Sequence, residues 1–236
     1  MLKKLILFLF IVCPVAGVIR TGFYSETPKP IAFSNDDAKV VVYQSRPSGP
    51  LALAMVEVKM VCKMSGKKTP VLLNISHSGK VQWIPMKEGK KPFQPTGVLY
   101  EVHGKEAEAL IRKVSQLVSS YPFQGEYQAW IGPNQNTFIS YLEKHIPEFS
   151  FPMPSNASGK DYLGPGMEYT FLPAEFKMQF AYSGYGGIQF SKDQIQFQIL
   201  GFSVGYNWHT TCLGLPGFGD LEIGPYFDRF IDGLSH

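Results

Sequence analysis

The sequence predicts an α+β protein, with an antiparallel sheet packed on two main helices and a β-rich C-terminal part. Three observations predict it. Short β-branched runs broken by Gly, Ser and Lys turns fill residues 39–102. Two stretches with helical spacing follow, each stopped by a proline. From Gly164 onward glycine and aromatic residues are dense, and helical periodicity is lost.

The strand runs come first. Lys39 to Gln44 contains Val40-Val41-Val42-Tyr43. In Leu51 to Lys63, Ala54, Val56, Val58, Met60 and Cys62 alternate with Met55, Glu57, Lys59 and Val61. Ser65-Gly66-Lys67-Lys68 turns the chain into Val71 to Ile75, and Ser78-Gly79 turns it again into Val81 to Ile84. A basic loop, Met86 to Pro95, leads to Val98 to Val102, completing a meander. The first helix lies between Gly104 and Tyr121. Its apolar residues Ala107, Leu110, Ile111, Val114, Leu117, Val118 and Tyr121 share one face. Leu110, Val114 and Leu117 are expected inside, and Pro122 ends the helix. A second helix is expected from Asn134–Asn136 to His145, burying Phe138, Ile139, Leu142 and Ile146 before Pro147. Beyond Gly164, Gln194-Ile195-Gln196-Phe197-Gln198-Ile199 alternates strictly, as a half-buried antiparallel strand does. Glu175 to Tyr182 and Phe202 to Asn207 are its expected partners. Together they make a Gly- and aromatic-rich β-hairpin subdomain, in which Tyr182, Tyr185, Tyr206 and Trp208 are expected to pack in the core or the hairpin, the alternative being exposed rings that touch a membrane or glycan.

The composition bounds the function. The chain has 236 residues, 44% of them apolar and 14% aromatic, enough to bury a core and unlike a disordered chain. Only one apolar run approaches helix length, at the extreme N-terminus, which argues against a multi-span membrane protein. With 22 basic and 19 acidic residues the charge is too balanced to argue for nucleic acid.

The N-terminus reads as an export signal. Lys3 and Lys4 precede the apolar run Leu5 to Val12, and Val15-Ala16-Gly17 offers small residues for cleavage. Extending the run to Ile19 leaves an uncleaved anchor open. Phe10, Ile11 and Val12 are too large to make Cys13 a lipoprotein cysteine. The expected division is a signal peptide over 1–17, a linker over 18–38, an α+β core over 39–163 and a β-rich subdomain over 164–236. The expected location is periplasmic or secreted. Removing the signal leaves Cys62 and Cys212. In an oxidising compartment these can pair, closing a long loop, or stay as two separately buried thiols, the favoured state. Asn74-Ile75-Ser76 and Asn156-Ala157-Ser158 match the glycosylation sequon.

Known chemistry is sparse. His77, His103, His145, His209 and His236 show no zinc-ligand spacing, and no C-x-x-C occurs, so no metal is expected. No phosphate-binding loop exists, and Gly184-Tyr185-Gly186-Gly187 lacks the strand-then-helix context of a dinucleotide site, so no cofactor is expected. Gly132-Pro133-Asn134 reads as a tight turn whose asparagines cap the next helix, a helix mouth that also attracts anions. Lys87, Lys90 and Lys91 form a small basic loop, solvated or in contact with an envelope or membrane surface.

A resemblance rests on four motifs in order: Tyr121-Pro122; Gly132-Pro133-Asn134-Gln135-Asn136-Thr137-Phe138; Gly159-Lys160-Asp161-Tyr162-Leu163; and Leu213-Gly214-Leu215-Pro216-Gly217-Phe218-Gly219. These resemble the bacterial domain-of-unknown-function family numbered 3750, over roughly residues 40–225. The resemblance implies an exported or membrane-linked bacterial protein. That family's core looks like a permuted papain-like (NlpC-like) fold, in which a cysteine opens a helix and a histidine lies on an early strand. Gln135 stands at the cysteine position here and Glu57 at the histidine position. An amide is no nucleophile, so cysteine catalysis is not expected. Glu57, if it faces Gln135, is placed to accept a hydrogen bond from its amide. Glu57, residues 132–137, and Lys160, Asp161 and Tyr162 are then candidates for a binding groove. The expected function is a non-catalytic envelope scaffold that binds a partner or ligand. The alternative is an amide or ester hydrolase acting on cell-wall or lipid substrate, with Thr137 or Ser140 as substitute nucleophile.

Overall fold

A computed structural model describes residues 33, 37–46, 55–86, 96–173, 176–208, 212–215 and 219–222. The signal segment, nearly all of the 18–38 linker, the Lys87–Lys91 loop, His209, residues 216–218 and His236 lie outside the described residues.

The expected meander is present. β1 (Lys39–Ser45), β2 (Glu57–Lys63), β3 (Val71–Ile75), β4 (Val81–Pro85) and β5 (Gly97–His103) form a five-stranded sheet in the order β4-β3-β2-β1-β5. Every neighbouring pair is antiparallel. β1 is an interior strand rich in β-branched residues, and Val40, Val41, Val42 and Tyr43 are all fully buried.

Both helices lie on this sheet. α1 (Gly104–Ser120) packs on β1 and β5, and α2 (Gln135–His145) packs on β2 and β3. α1 buries Ala107, Leu110, Ile111 and Val114, while Leu117 packs from a half-buried position. The apolar faces of both helices meet the inward side chains of β1–β3, including Val42, Met60 and Leu73, in one core. Tyr121, at the end of α1, sits edge-on to Phe138 of α2 with ring centroids 5.0 Å apart, which locks the two helices together.

The C-terminal part is larger than a hairpin. β6 (Met167–Leu172), β7 (Lys177–Tyr182), β8 (Gly186–Phe190), β9 (Gln194–Ile199), β10 (Phe202–Asn207), β11 (Cys212–Leu215) and β12 (Gly219–Glu222) form a seven-stranded sheet in sequence order. All its neighbours are antiparallel. The expected hairpin subdomain is corrected to a full sheet, because each short turn returns the chain to the strand before it and the meander does not stop after three strands.

The polarity of this sheet is inverted. Gln179, Gln189, Gln196, Gln198 and Ser203 are buried, while Phe180, Phe190 and Phe197 are exposed. Within β9, Gln198 is 4% exposed and its neighbour Phe197 46%. The strict alternation of β9 is real, but its apolar face points outward. Tyr182, Tyr185, Tyr206 and Trp208 are likewise exposed, which corrects the expectation of core packing and leaves the exposed alternative.

Candidate functional site

The centre of interest is the start of α2, where the two helices, the first sheet and the second sheet converge. Residues 132–140 are buried without exception, and so are residues 157–162. The two sequence motifs therefore face each other inside the protein and line no open groove among the described residues.

Five residues of the Gly132–Phe138 run have separate tasks. Gly132 has φ +93°, and a Cβ there would lie 2.7 Å from Thr137 Oγ1 and 2.9 Å from Tyr162 Cβ, so glycine lets the turn close against both. Asn134 is the N-cap. Its Oδ1 accepts from the backbone N–H of Asn136 at 2.9 Å and of Thr137 at 3.2 Å. Thr137 completes the capping box, its Oγ1 accepting from the Asn134 N–H at 3.0 Å. The same hydroxyl donates to Gly159 O at 2.7 Å.

Gln135 and Asn136 have a different role, set by the sheet. The β2–β3 ladder pairs Cys62 with Val71, Val61 with Leu72 and Met60 with Leu73, then stops while both strands continue. Two side-chain amides occupy the fork. Gln135 Oε1 accepts from the Ile75 N–H at 2.8 Å, and its Nε2 donates to Leu73 O at 3.2 Å. Asn136 Oδ1 accepts from the Val58 N–H at 2.7 Å, and its Nδ2 donates to Val56 O at 3.0 Å and Ser158 O at 2.8 Å. Each amide takes a carbonyl and the N–H two residues further on, the groups a neighbouring strand would otherwise engage. Buried backbone groups must be paired, and these two side chains pair the ones the fork exposes.

Glu57 is not part of this arrangement. Its carboxylate pairs with Lys59 Nζ at 2.9 Å, and the Gln135 amide is committed to β3.

The second motif joins the two sheets. Gly159 (φ +85°) lies against the Asn134 amide with no room for a Cβ. Lys160 Nζ and Asp161 Oδ2 form a buried ion pair at 2.7 Å. Asp161 Oδ2 also accepts from Gln196 Nε2 at 2.8 Å and Ser203 Oγ at 3.0 Å, on β9 and β10. The Asp161 backbone carbonyl accepts from Gln179 Nε2 of β7 at 2.9 Å. Burial alone would raise the Asp161 pKa, but the Lys160 ammonium outweighs it, and Lys144 and Ser203 add to the effect, so the carboxyl is held below its usual value. Tyr162 sits edge-on to Phe123, ring centroids 5.1 Å apart.

Two charged groups of α2 border this joint. Glu143 is pushed up to about 7 by desolvation, against the pull of Lys177 and a hydrogen bond from the Phe151 backbone. Lys144 is lowered to about 8 by desolvation and by Lys177.

The reactive groups are elsewhere. Cys62 lies in the apolar core, where burial pushes its thiol well up and disfavours the thiolate. Cys62 and Cys212 form no disulfide with each other. His77 sits edge-on to Tyr127, His103 Nε2 meets Glu101 Oε1 at 2.8 Å, and His145 Nδ1 meets Tyr141 O at 2.7 Å, all three on the surface. Thr137 and Ser140 are buried. Among the described residues no three His, Cys, Asp or Glu side chains gather to hold a metal ion.

Residues 61–162 match the model of the family described as "Protein of unknown function (DUF3750)". The match supports the resemblance carried by the two central motifs. The DUF3750 match begins within β2 and ends at Tyr162, so it takes in both helices, the β3 side of the fork and the Lys160–Asp161 pair, but not Val56 and Val58 on the β2 side nor the partners of Asp161 on β7, β9 and β10. The seven-stranded sheet, with its glycine-rich end, lies beyond the DUF3750 match. No curated protein and no solved structure matches the chain.

Sequence reasoning found the two motifs and the capping role of Asn134. It missed the fork, because a ladder that stops short leaves no mark on the strands themselves. It also missed the buried glutamine face. Its signal was available in Gln194-x-Gln196-x-Gln198, where the amides share one side of a strand as strictly as the apolar residues share the other.

Proposed function

We propose that this chain is an exported, non-catalytic binding protein of the cell envelope, built on a papain-like scaffold whose nucleophile position has been given over to structure. One observation carries the reading: the Gln135 amide at the mouth of α2 is buried and bonded through both its polar atoms to the backbone of β3. A residue committed in this way holds the fold together and offers nothing to a substrate. Export is supported by Lys3-Lys4 followed by the apolar run Leu5 to Val12. The binding surface in this reading is the outer face of the second sheet, the largest concentration of exposed aromatic side chains on the described chain.

The experiment pairs cell fractionation with activity probes. The protein is expected in the envelope or medium fraction. The folded protein is expected to remain unlabelled by thiol-directed and serine-directed probes. Retention in the cytoplasm with Met1 intact would refute export. Labelling abolished by Thr137→Val or Ser140→Ala, with the fold intact, would establish a hydrolase instead.

A further inference from the structure

We propose that the outer face of the second sheet packs against the same face of a second copy of this chain, closing a β-sandwich across a twofold axis. This rests on reading that face as a binding surface, and it names the partner.

The register of the sheet carries the argument. Tyr169 lies opposite Phe180, Phe180 opposite Ile188, Ile188 opposite Phe197, and Phe197 opposite Val204. One apolar row therefore crosses five strands, and further rows of the same character flank it. Met167 is 87% exposed and Tyr169 75%, so most of this face is uncovered by the described residues. A sheet normally buries its apolar face against another layer. Here the layer against the α+β part takes the glutamine face, and the apolar face is left over.

Area, charge and shape select the occupant. Ten large apolar residues of the face are between 36% and 87% exposed; at roughly 200 Å² for a fully exposed side chain, they present about 1,000 Å² per copy. A stable interface needs about 800 Å² from each partner. No Lys, Arg, Asp or Glu occupies an outward position on β6–β11 among the described residues. The face therefore lacks the cations that would hold phosphates of nucleic acid or anionic lipid. It has the composition of an interface core, rich in Phe, Tyr and Met and without charge. The strands of this sheet have 4–6 residues, where a membrane-crossing strand needs about 9–11. Two copies of one twisted sheet have the same hand of twist, and aligned sheets pack face to face at about 10 Å. An identical face satisfies these conditions, because a twofold axis makes one patch complementary to itself.

The test is sedimentation velocity on the full exported chain at micromolar concentrations, with two variants. The wild type is expected as a dimer. Phe180→Glu/Phe197→Glu, which sets like charges against one another across the twofold axis, is expected to sediment as a monomer with unchanged far-UV circular dichroism. Tyr169→Glu, at the exposed edge, is expected to weaken the dimer at least tenfold. A dimer untouched by either variant would overturn the proposal, as would a monomeric wild type. For a monomer, two further measurements separate the layers of the reading. Co-sedimentation with phosphatidylcholine vesicles, or capture of a different protein by a photo-crosslinker at position 180, would leave the binding surface standing and remove self-association. With neither, both readings fall.

Discussion

The two sheets solve the same burial problem with opposite faces. In the five-stranded sheet, β1–β3 send Val, Met, Leu and Cys side chains against α1 and α2, and the Gln135 and Asn136 amides enter the interior where a ladder ends. In the seven-stranded sheet, amides fill the inner face and aromatic rings cover the outer one. The first arrangement is stabilised by apolar burial, and the amides at its fork are paired atom by atom, although the Tyr121 hydroxyl is buried without a hydrogen-bond partner. The second turns inward a layer of glutamines that have to find partners, and one atom of that layer does not: Gln198 Oε1 is buried with no hydrogen-bond partner, beside a water-sized cavity of about 10 Å³ that Gln179, Gln189 and Gln196 also line. A sheet built this way buries little of its apolar surface among the described residues and leaves its largest apolar area exposed.

The joint between the sheets should show the largest effect. Asp161→Ala leaves Lys160 buried without its counter-charge and removes the acceptor of Gln196 and Ser203, at an expected cost of about 3–5 kcal/mol. Denaturant unfolding measures it, and a cost below 1 kcal/mol would mean that the two sheets do not depend on this joint.

Within the sheets, matched aromatic truncations should diverge. Phe138→Ala, in the first core, is expected to cost about 3–5 kcal/mol. Phe197→Ala, on the outer face, is expected to cost less than about 0.5 kcal/mol at protein concentrations too low for association. Equal costs would erase the contrast between the two regions.

The pH dependence belongs to the border of the joint. Glu143 keeps its proton in the folded chain up to about 7, against an ordinary value of 4.5. Between those values the unfolded chain has already lost its proton, so stability falls as pH rises across the window, by on the order of 2 kcal/mol. Glu143→Gln is expected to flatten that part of the profile. Asp161 works in the opposite sense: its lowered pKa adds stability that is lost as pH falls below the ordinary carboxylate range.

The amides of the two regions should differ as well. Gln135→Leu strands the Ile75 N–H and the Leu73 carbonyl inside the fork, costing about 1–3 kcal/mol. Gln198→Leu removes a buried acceptor that has no partner and is expected to leave stability within about 0.5 kcal/mol or to raise it. A large loss from the second substitution would show that Gln198 is satisfied in solution.

Much of the first region was legible in the sequence because its local signals agree with its burial. The strands alternate or run β-branched, the helices carry single apolar faces, and the Asn134 cap stands three residues before Thr137. The fork was not legible, since its amides act on strands some 60 to 80 residues earlier in the chain. The second region was legible as β-structure but not in its orientation. Period-2 alternation says that two faces differ; it does not say which one is inside. Assigning the apolar face to the interior is the usual choice for a sheet that is complete within one chain, and that is where the expectation for Tyr182, Tyr185, Tyr206 and Trp208 went wrong.

The orientation of the second sheet is the point on which the rest turns, and three consecutive residues of β9 test it. Single cysteines are placed at positions 196, 197 and 198 in a Cys212→Ser background, with Cys62 left in its buried place. Maleimide labelling rates are then read on the dilute, folded protein. The cysteine at 197 is expected to react at nearly the rate of an unfolded control, and those at 196 and 198 at least tenfold more slowly. Fast labelling at 196 and 198 with protection at 197 would place the aromatic face inside and contradict the inverted sheet.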